Sequence, residues 1–127
     1  MDLPEKLKYT ASHEWVADNG DGTVTVGITA VAAEQLGDLV YVELPPVGTS
    51  VARGANCAIV ESTKAASEVY APVAGEVLAS NADLAKNPER VNQSPYKDGW
   101  LFKLKISDRT ELDGLLARDA YAKSAGV

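Results

Sequence analysis

Cysteine and histidine are nearly absent from this chain of 127 residues, which contains one of each, Cys57 and His13. A single cysteine excludes an internal disulfide and any metal site that needs two cysteine ligands. A Cys–His nucleophilic pair is arithmetically possible, but the two residues are far apart and the surroundings of neither support it. A zinc site built from His13 and scattered carboxylates is less favoured still. We therefore expect neither a metal site nor a catalytic Cys–His pair.

Basic residues and long apolar runs are also scarce. The chain has 12 Lys and Arg against 18 Asp and Glu, which gives a formal net charge of -6. Nucleic-acid binding requires clustered cations, and an anionic membrane surface would repel such a chain, so we expect neither partner. No run approaches the roughly 20 apolar residues that span a bilayer. The start, "MDLPEKLKYT", does not resemble a signal or transit peptide, which predicts a cytoplasmic protein, or a mature form in the mitochondrial matrix.

What the chain does contain is the composition of an ordinary globular protein, with 46% apolar and 24% charged residues, and its length suits one domain with one core. Short β-branched runs separated by regular turn signals predict a mainly β sandwich or small barrel. These runs are "HEWVA", "TVTVGI", "DLVYVELP", "CAIVES", "ASEVYAP" and "GEVLAS". The alternation in "WLFKLKI" predicts a further strand, with Trp100, Phe102, Leu104 and Ile106 facing inward.

Capping residues predict two helices. The first is short, with the Thr29 hydroxyl as its N-cap and Gly37 at its end. The second covers about 108–124, because Asp108 is a plausible N-cap and Glu111 stands where a capping box needs it. Its apolar face would contain Leu112, Leu115 and Leu116. Gly114 costs such a helix about 1 kcal/mol and can divide it in two. The segment 87–99 between these helices is predicted to be a polar surface loop.

The most unusual position is Lys64, within "IVESTKAASEVYAPVAGEV", where it stands at the apparent tip of a hairpin. The simplest interpretation is an exposed turn lysine that keeps the hairpin soluble and protects its edge. A Schiff-base nucleophile would need a deprotonated amine, and the flanking Glu61 and Glu68 would hold the proton on. A third interpretation is an attachment point, because a long stem at an accessible tip suits a carried group such as lipoamide.

The residues around Lys64 resemble the lipoyl-attachment motif of the glycine cleavage system H-protein family. That motif is Glu-Ser-x-Lys-Ala with a glycine eleven residues after the lysine, and Glu61, Ser62, Lys64, Ala65 and Gly75 match it. Three further blocks resemble the family in order and spacing: "LKYTASHEWV", "VGITAVAAEQLGDLVYVELPPVG" and "NQSPYKDGWLFKLKI". The resemblance covers roughly residues 7–106, with a looser match through the final helix.

Two other carrier families match less well. Biotin carriers flank the lysine with methionines, whereas Thr63 and Ala65 stand here. Lipoyl domains of 2-oxoacid dehydrogenases typically read Asp-Lys-Ala and lack the "SHEWV" and "SPYKDGW" blocks. The resemblance thus implies a barrel-sandwich hybrid, the lipoyl/biotinyl-like fold, with N-terminal strands, one short helix and a C-terminal helix. It would be a single carrier domain over 1–127, with the hairpin core at about 38–106.

The resemblance also implies a function. Lys64 would carry lipoic acid in amide linkage, attached by a lipoyl ligase or transferase, and the protein would be a non-catalytic shuttle. It would take an aminomethyl group from glycine decarboxylase to an aminomethyltransferase and then be reoxidised by dihydrolipoamide dehydrogenase. One alternative is a depot that relays lipoyl or octanoyl groups to other acceptors. The other is an unmodified β-sandwich interaction domain in which Lys64 stays a free amine.

In that family the loaded arm lies in a groove, where a carboxylate holds the carried amine. Glu14 matches that carboxylate and Ser12 is its matching neighbour, although Glu14 could also be an exposed strand acid. Gln35 stands near a position where the family often has a histidine, and glutamine cannot titrate near neutral pH. Glu61 and Glu68 either mark the hairpin for the loading enzyme and partner docking or form a solvated acidic rim.

The remaining special residues are expected to be structural. Cys57 lies in a buried strand pattern, which is typical of a small core residue. His13 is interpreted as a strand residue. Trp15 and Trp100 are large enough to be core residues.

Overall fold

The computed structural model describes residues 3–127, and these residues form nine strands in two antiparallel sheets. The strands are β1 (Lys8–Tyr9), β2 (Glu14–Asp18), β3 (Thr23–Ile28), β4 (Leu39–Glu43), β5 (Ser50–Val51), β6 (Asn56–Ser62), β7 (Ala66–Tyr70), β8 (Gly75–Ser80) and β9 (Phe102–Ile106). One sheet has the order β1-β2-β3-β9-β8-β5, and the other has the order β4-β6-β7. The prediction of a mainly β sandwich is confirmed.

The main core lies between these two sheets, where β-branched and other apolar side chains meet. Each predicted strand contributes alternate residues to it, including Val24, Val26, Val60, Val69, Val77, Phe102 and Leu104. In β9 the alternation works as predicted, since Phe102 and Leu104 are buried and Lys105 is exposed. Trp100 does not follow the predicted alternation of buried and exposed residues. That residue precedes β9, lies half-buried beside the second cluster, and has the Lys103 ammonium 5.1 Å from its ring centroid.

A second, smaller cluster lies outside the six-stranded sheet and joins the N-terminal region to the C-terminal helix. Its buried members are Leu3, Tyr9, Trp15, Val31 and Tyr121. Trp15 is buried here as expected, and its indole N–H donates to the Pro95 carbonyl at 2.9 Å. This cluster packs the last helix of the chain against β1 and β2.

The first helix, α1 (Ala30–Leu36), begins and ends where its capping residues predict. The Thr29 hydroxyl accepts a hydrogen bond from the Ala32 N–H at 3.3 Å. Gly37 has φ 81° and ψ -168°, a conformation that is essentially restricted to glycine, and its N–H donates to the Ala33 carbonyl. Local backbone chemistry is therefore sufficient to set the length of α1.

The prediction of an irregular polar loop over 87–99 is wrong in part, because a second helix, α2 (Arg90–Gln93), lies within it. Val91 is fully buried in the main core. Asn92 joins α2 to the end of α1: its amide donates to the Gly37 carbonyl at 2.8 Å and its oxygen accepts from the Leu39 N–H at 2.9 Å. These tertiary contacts order a segment whose composition is typical of a loop.

The C-terminal helix predicted over about 108–124 is also shorter than expected. A 3₁₀ helix covers Arg109–Gly114, and α3 begins only at Arg118 and ends at Ala125. Between them Leu116 exchanges backbone hydrogen bonds with Tyr9 at 2.7 and 2.8 Å. The predicted helix is therefore divided after Gly114 into two separate helical segments.

The predicted capping box at the start of that region is only half formed. Asp108 caps as predicted and accepts from the Thr110 N–H at 2.9 Å. Glu111 instead accepts from the Ala74 N–H at 2.7 Å. The three leucines do not share one buried face, because Leu112 is buried and the other two are half-buried. None of the helices within residues 3–127 has the length and apolar composition needed to cross a membrane.

Candidate functional site

Lys64 lies at the tip of the β6–β7 hairpin, in a turn that its neighbour Ser62 closes. The Ser62 N–H donates to the Ala65 carbonyl at 2.8 Å, which fixes the two ends of the turn. The Ser62 hydroxyl accepts from the N–H groups of Lys64 and Ala65 at 3.3 and 3.2 Å. The turn backbone is thus held by local hydrogen bonds, while the lysine side chain is exposed.

The lysine stem extends past the end of α1. Its Cε lies 3.6 Å from the place that a Cβ on Gly37 would occupy, an ordinary van der Waals distance, so the stem lies against the end of α1. Within residues 3–127 no carboxylate forms a salt bridge with the Lys64 amine. Among the described residues, therefore, no ion pair would have to be broken before the amine is acylated.

Close packing of the backbone explains why glycine stands at position 75 of the lysine motif. A Cβ at that position would lie 2.4 Å from the Lys105 carbonyl oxygen, a distance that real Cβ atoms do not reach. Gly75 pairs with Ile106 in the β8–β9 ladder. A larger residue would separate these strands, which lie in the sheet opposite the lysine hairpin.

Glu14 is buried, with only 1% of its surface exposed, so the alternative of an exposed strand acid is wrong. One carboxylate oxygen accepts from the hydroxyls of Ser12 and Thr10, each at 2.6 Å. The other accepts from the Tyr70 N–H at 3.4 Å. Burial raises the pKa of this carboxyl above its usual value, against the opposing effect of these hydrogen bonds. The group is a preorganised carboxylate whose charge has little water around it.

A groove between α1 and β7 has Glu14 and Ser12 at its floor. A small cavity of about 110 Å³ is lined there by Gln35 from α1 and by Ser67 and Glu68 from β7. It adjoins a wider trough along the outer side of the hairpin, lined by residues that include Ser12, Glu61, Ser67, Glu68 and Tyr70. The structure thus brings Ser12, Glu14, Gln35 and Glu68 together, and places Glu61 in the adjoining trough.

The two acids of the hairpin differ in their surroundings. Glu68 is exposed and accepts a hydrogen bond from the Tyr70 hydroxyl at 3.1 Å. Glu61 is half-buried on β6, paired across the sheet with Tyr41 and Ala66. Both lie on the same hairpin as Lys64, so a protein that approaches the lysine meets negative charge.

Two residues that hydrogen-bond to the Glu14 carboxylate were not predicted from the sequence. Thr10 had a usable signal, since Thr10, Ser12 and Glu14 follow each other at every second position. Tyr70 had none, because it contributes its backbone N–H to the carboxylate, and any residue other than proline could do so.

His13 is not a strand residue, which corrects the prediction. It precedes β2 with φ 73° and is the one non-glycine residue with positive φ in the described part of the chain. Cys57 is half-buried against the main core. Burial raises the pKa of its thiol to about 11, and the charge of Glu14 adds to the effect, so the thiol stays protonated at neutral pH.

The two sheets and the hairpin between β6 and β7 define the barrel-sandwich hybrid, the fold of lipoyl and biotinyl carrier domains. The family model described as "Glycine cleavage H-protein" matches residues 7–126. The chain belongs to the glycine cleavage H-protein family. That family consists of lipoyl-carrying components of the glycine cleavage system.

Individual relatives agree with this assignment. The chain is 56% identical over 122 residues to the glycine cleavage system H protein of Pectobacterium atrosepticum, covering 96% of this chain and 94% of that one. It is 57% identical over 124 residues to the protein of that name from Laribacter hongkongensis, covering 98% of each. The crystal structure of a glycine cleavage system H protein from Mycobacterium marinum has a TM-score of 0.88 at 39% identity, and the match covers 98% of this chain and 100% of that one.

Proposed function

We propose that Lys64 carries a lipoyl group in amide linkage and that the chain is the non-catalytic shuttle of a cytoplasmic glycine cleavage system. The shuttle would take an aminomethyl group from glycine decarboxylase to the aminomethyltransferase and return to its oxidised form at dihydrolipoamide dehydrogenase. One observation carries the proposal: Lys64 is exposed at the tip of its hairpin, its stem lies against the end of α1, and the groove beside α1 contains a buried carboxylate.

The residues present fit a lipoyl group. When bound, this group supplies a redox-active dithiol at the end of a long acyl chain. The chain's own contribution is to hold and protect what that arm carries. The stem lies beside Gly37 at the end of α1, two residues after Gln35, which lines the groove. The path from lysine to carboxylate therefore follows one side of α1.

Glu14 is proposed to bind the ammonium group of the carried aminomethyl unit. A cation beside it would favour the ionised carboxylate and offset the cost of burying that charge. The Ser12 and Thr10 hydroxyls already hold the acceptor oxygen in place, so little reorganisation is needed when a cation arrives. Gln35, exposed at the rim, can donate or accept a hydrogen bond there but cannot take up a proton.

The groove would also exclude water from the carried group. Hydrolysis is the side reaction that a carrier must avoid between enzymes, and a closed site slows it. Apolar groups of Ile28, Leu36 and Val60 form part of the wall.

Glu61 and Glu68 are proposed to serve recognition. They flank Lys64 on the two strands of the hairpin and have no cation bonded to them in the described part of the chain. A lipoyl ligase or transferase with a basic surface would bind to these two carboxylates before it acylates the lysine. The same acids are available to the three enzymes of the system.

The proposal is tested by reconstituting glycine decarboxylation with the three partner enzymes. The lipoylated wild type and a Lys86→Arg control, which changes another exposed lysine, should both support the reaction. Lys64→Arg should support none of it. Activity of the Lys64→Arg protein at the wild-type level would show that Lys64 is not the carrier and would favour an interaction domain with a free amine.

A further inference from the structure

Tyr121, in the last helix of the chain, reaches the turn beside the groove. Its side chain is fully buried, and its ring stacks on Tyr9 with centroids 4.7 Å apart and planes 12° apart. Its hydroxyl lies 2.6 Å from His13 Nδ1 and 2.8 Å from the Thr29 hydroxyl. A buried hydroxyl is costly unless it is hydrogen-bonded, and here it has two partners on two different segments.

The first partner, His13, sits between the two groove residues Ser12 and Glu14. Its positive φ is uncommon outside glycine and is unfavourable by itself, so the surroundings must hold it. They do so by three contacts: the ring bonds to Tyr121, the N–H donates to the Thr10 carbonyl at 3.2 Å, and the carbonyl accepts from the Thr29 N–H at 3.0 Å. This conformation turns the backbone so that Glu14 enters β2 with its carboxylate beneath the hydroxyls of Ser12 and Thr10.

The second partner, Thr29, is the N-cap of α1, which forms one wall of the groove. The Tyr121 hydroxyl therefore links the turn that carries Glu14 to the helix that carries Gln35, in addition to the backbone hydrogen bond from the Thr29 N–H to the His13 carbonyl. Phenylalanine would keep the stacking with Tyr9 but would remove this side-chain link between His13 and Thr29.

We propose that Tyr121 is a positioning residue of the arm groove, whose hydroxyl holds the turn with Glu14 at a fixed spacing from α1 and so prolongs the lifetime of the carried group. This inference rests on the proposed function of Glu14. It gives the C-terminal helix a role in the reaction although α3 contributes no residue to the lining of the groove.

The test compares Tyr121→Phe with Tyr9→Phe. The control removes a hydroxyl from the same aromatic stack, where it donates to the Pro4 carbonyl at 2.6 Å, outside the groove. Amide hydrogen exchange on the unlipoylated proteins should be faster at Glu14 and Thr29 in Tyr121→Phe only, and unchanged at Val26 in the core. On lipoylated, loaded protein, Tyr121→Phe should release the carried group about fivefold faster, as expected for one lost hydrogen bond, while Tyr9→Phe should not change the rate.

A second variant approaches the same bond from the other side. His13→Asn keeps a residue that tolerates positive φ but shortens the side chain, so it should no longer reach Tyr121. It should reproduce both effects, and it carries the test if Tyr121→Phe does not fold.

Three results would overturn the proposal: faster exchange throughout the chain, which indicates lost stability only; unchanged exchange at Glu14 and Thr29; or local loosening with an unchanged release rate. Glu14→Ala separates the two levels of inference. If Glu14→Ala accelerates release and Tyr121→Phe does not, only the role of Tyr121 fails. If neither accelerates it, the proposed function of the groove fails as well.

Discussion

Lys64 and Glu14, the two residues that would hold the ends of a carried group, are built in opposite ways. The lysine is exposed, its backbone is fixed by Ser62 alone, and its stem lies beside a glycine. The carboxylate is 1% exposed and accepts hydrogen bonds from three different residues. Lys64 needs freedom of movement to reach the partner enzymes, whereas Glu14 needs a fixed geometry to retain the carried group. This contrast between Lys64 and Glu14 leads to the following predictions, ordered from the largest expected effect to the smallest.

The largest effect is expected at the lysine. Lys64→Arg should abolish lipoylation by a lipoyl ligase, because the guanidinium cannot form the amide, and intact mass would show it. The free energy of unfolding should change by no more than about 0.5 kcal/mol, since an exposed tip residue buries little surface. A large loss of stability would contradict the view that the tip is free of structural contacts.

A substitution at Glu14 should affect retention of the carried group and not its attachment site. Glu14→Ala should leave lipoylation intact but accelerate loss of the loaded aminomethyl group by roughly 10- to 100-fold, the factor for a lost charged hydrogen bond. Glu76→Gln changes an exposed acid on β8, outside the groove, and is the matched control. The release rate can be followed as ammonia or formaldehyde formation from the isolated, loaded protein. Equal rates in all three proteins would remove Glu14 from the site.

Gly37 connects the two regions. Gly37→Ala should destabilise the fold by about 1–3 kcal/mol, because its backbone conformation is restricted to glycine. Thermal or urea unfolding measures this cost. Gly48→Ala, also at positive φ but with nothing within 4 Å of its Cβ position, gives the strain without the contact to the Lys64 stem. The two variants should be lipoylated at equal rates, because a Cβ on Gly37 would lie at an ordinary van der Waals distance from the Lys64 stem. Slower lipoylation of Gly37→Ala alone would show that the stem needs the space beside this glycine.

The smallest effect concerns pH. Because burial raises the pKa of Glu14 in the folded state, the folded protein holds that proton more tightly than the unfolded chain. The contribution of Glu14 to stability is thus most favourable below the ordinary glutamate pKa and declines as pH rises toward the raised value. Glu14→Gln removes this term, so the difference between the two unfolding free energies should shift in favour of the variant as pH rises above 4.5, the ordinary glutamate pKa. Asp18, Asp21 and Asp108, whose pKa values are lowered by hydrogen bonds, cancel in this comparison. A difference that does not vary with pH would mean that Glu14 is not desolvated.

The same contrast explains how far the sequence could be read. The hairpin tip and α1 could be predicted because their hydrogen bonds are local: Ser62 holds Lys64 two residues away, and Thr29 and Gly37 cap one short helix. The resemblance of residues 7–106 to one family then pointed to Glu14 and Ser12, although composition alone would have left an acid on the surface.

What failed depended on contacts between distant segments. Glu111 did not form its capping box because the Ala74 N–H, far away in sequence, binds its carboxylate. His13 was assigned to a strand because nothing nearby in sequence shows that Tyr121 would hold it at positive φ. The polar segment 87–99 contains a helix because the Val91 side chain is buried in the main core. The burial of Glu14 belongs to the same class, since Tyr70 completes its hydrogen bonds from another sheet.

The most direct test of the central claim is the intact mass of the protein purified from its native cell, followed by mapping of the peptide that contains "ESTKAASE". The account predicts a lipoyl-sized increment on Lys64 and on no other lysine. An unmodified Lys64 in protein from lipoate-replete cells, which also stays unmodified when offered to a lipoyl ligase, would contradict it.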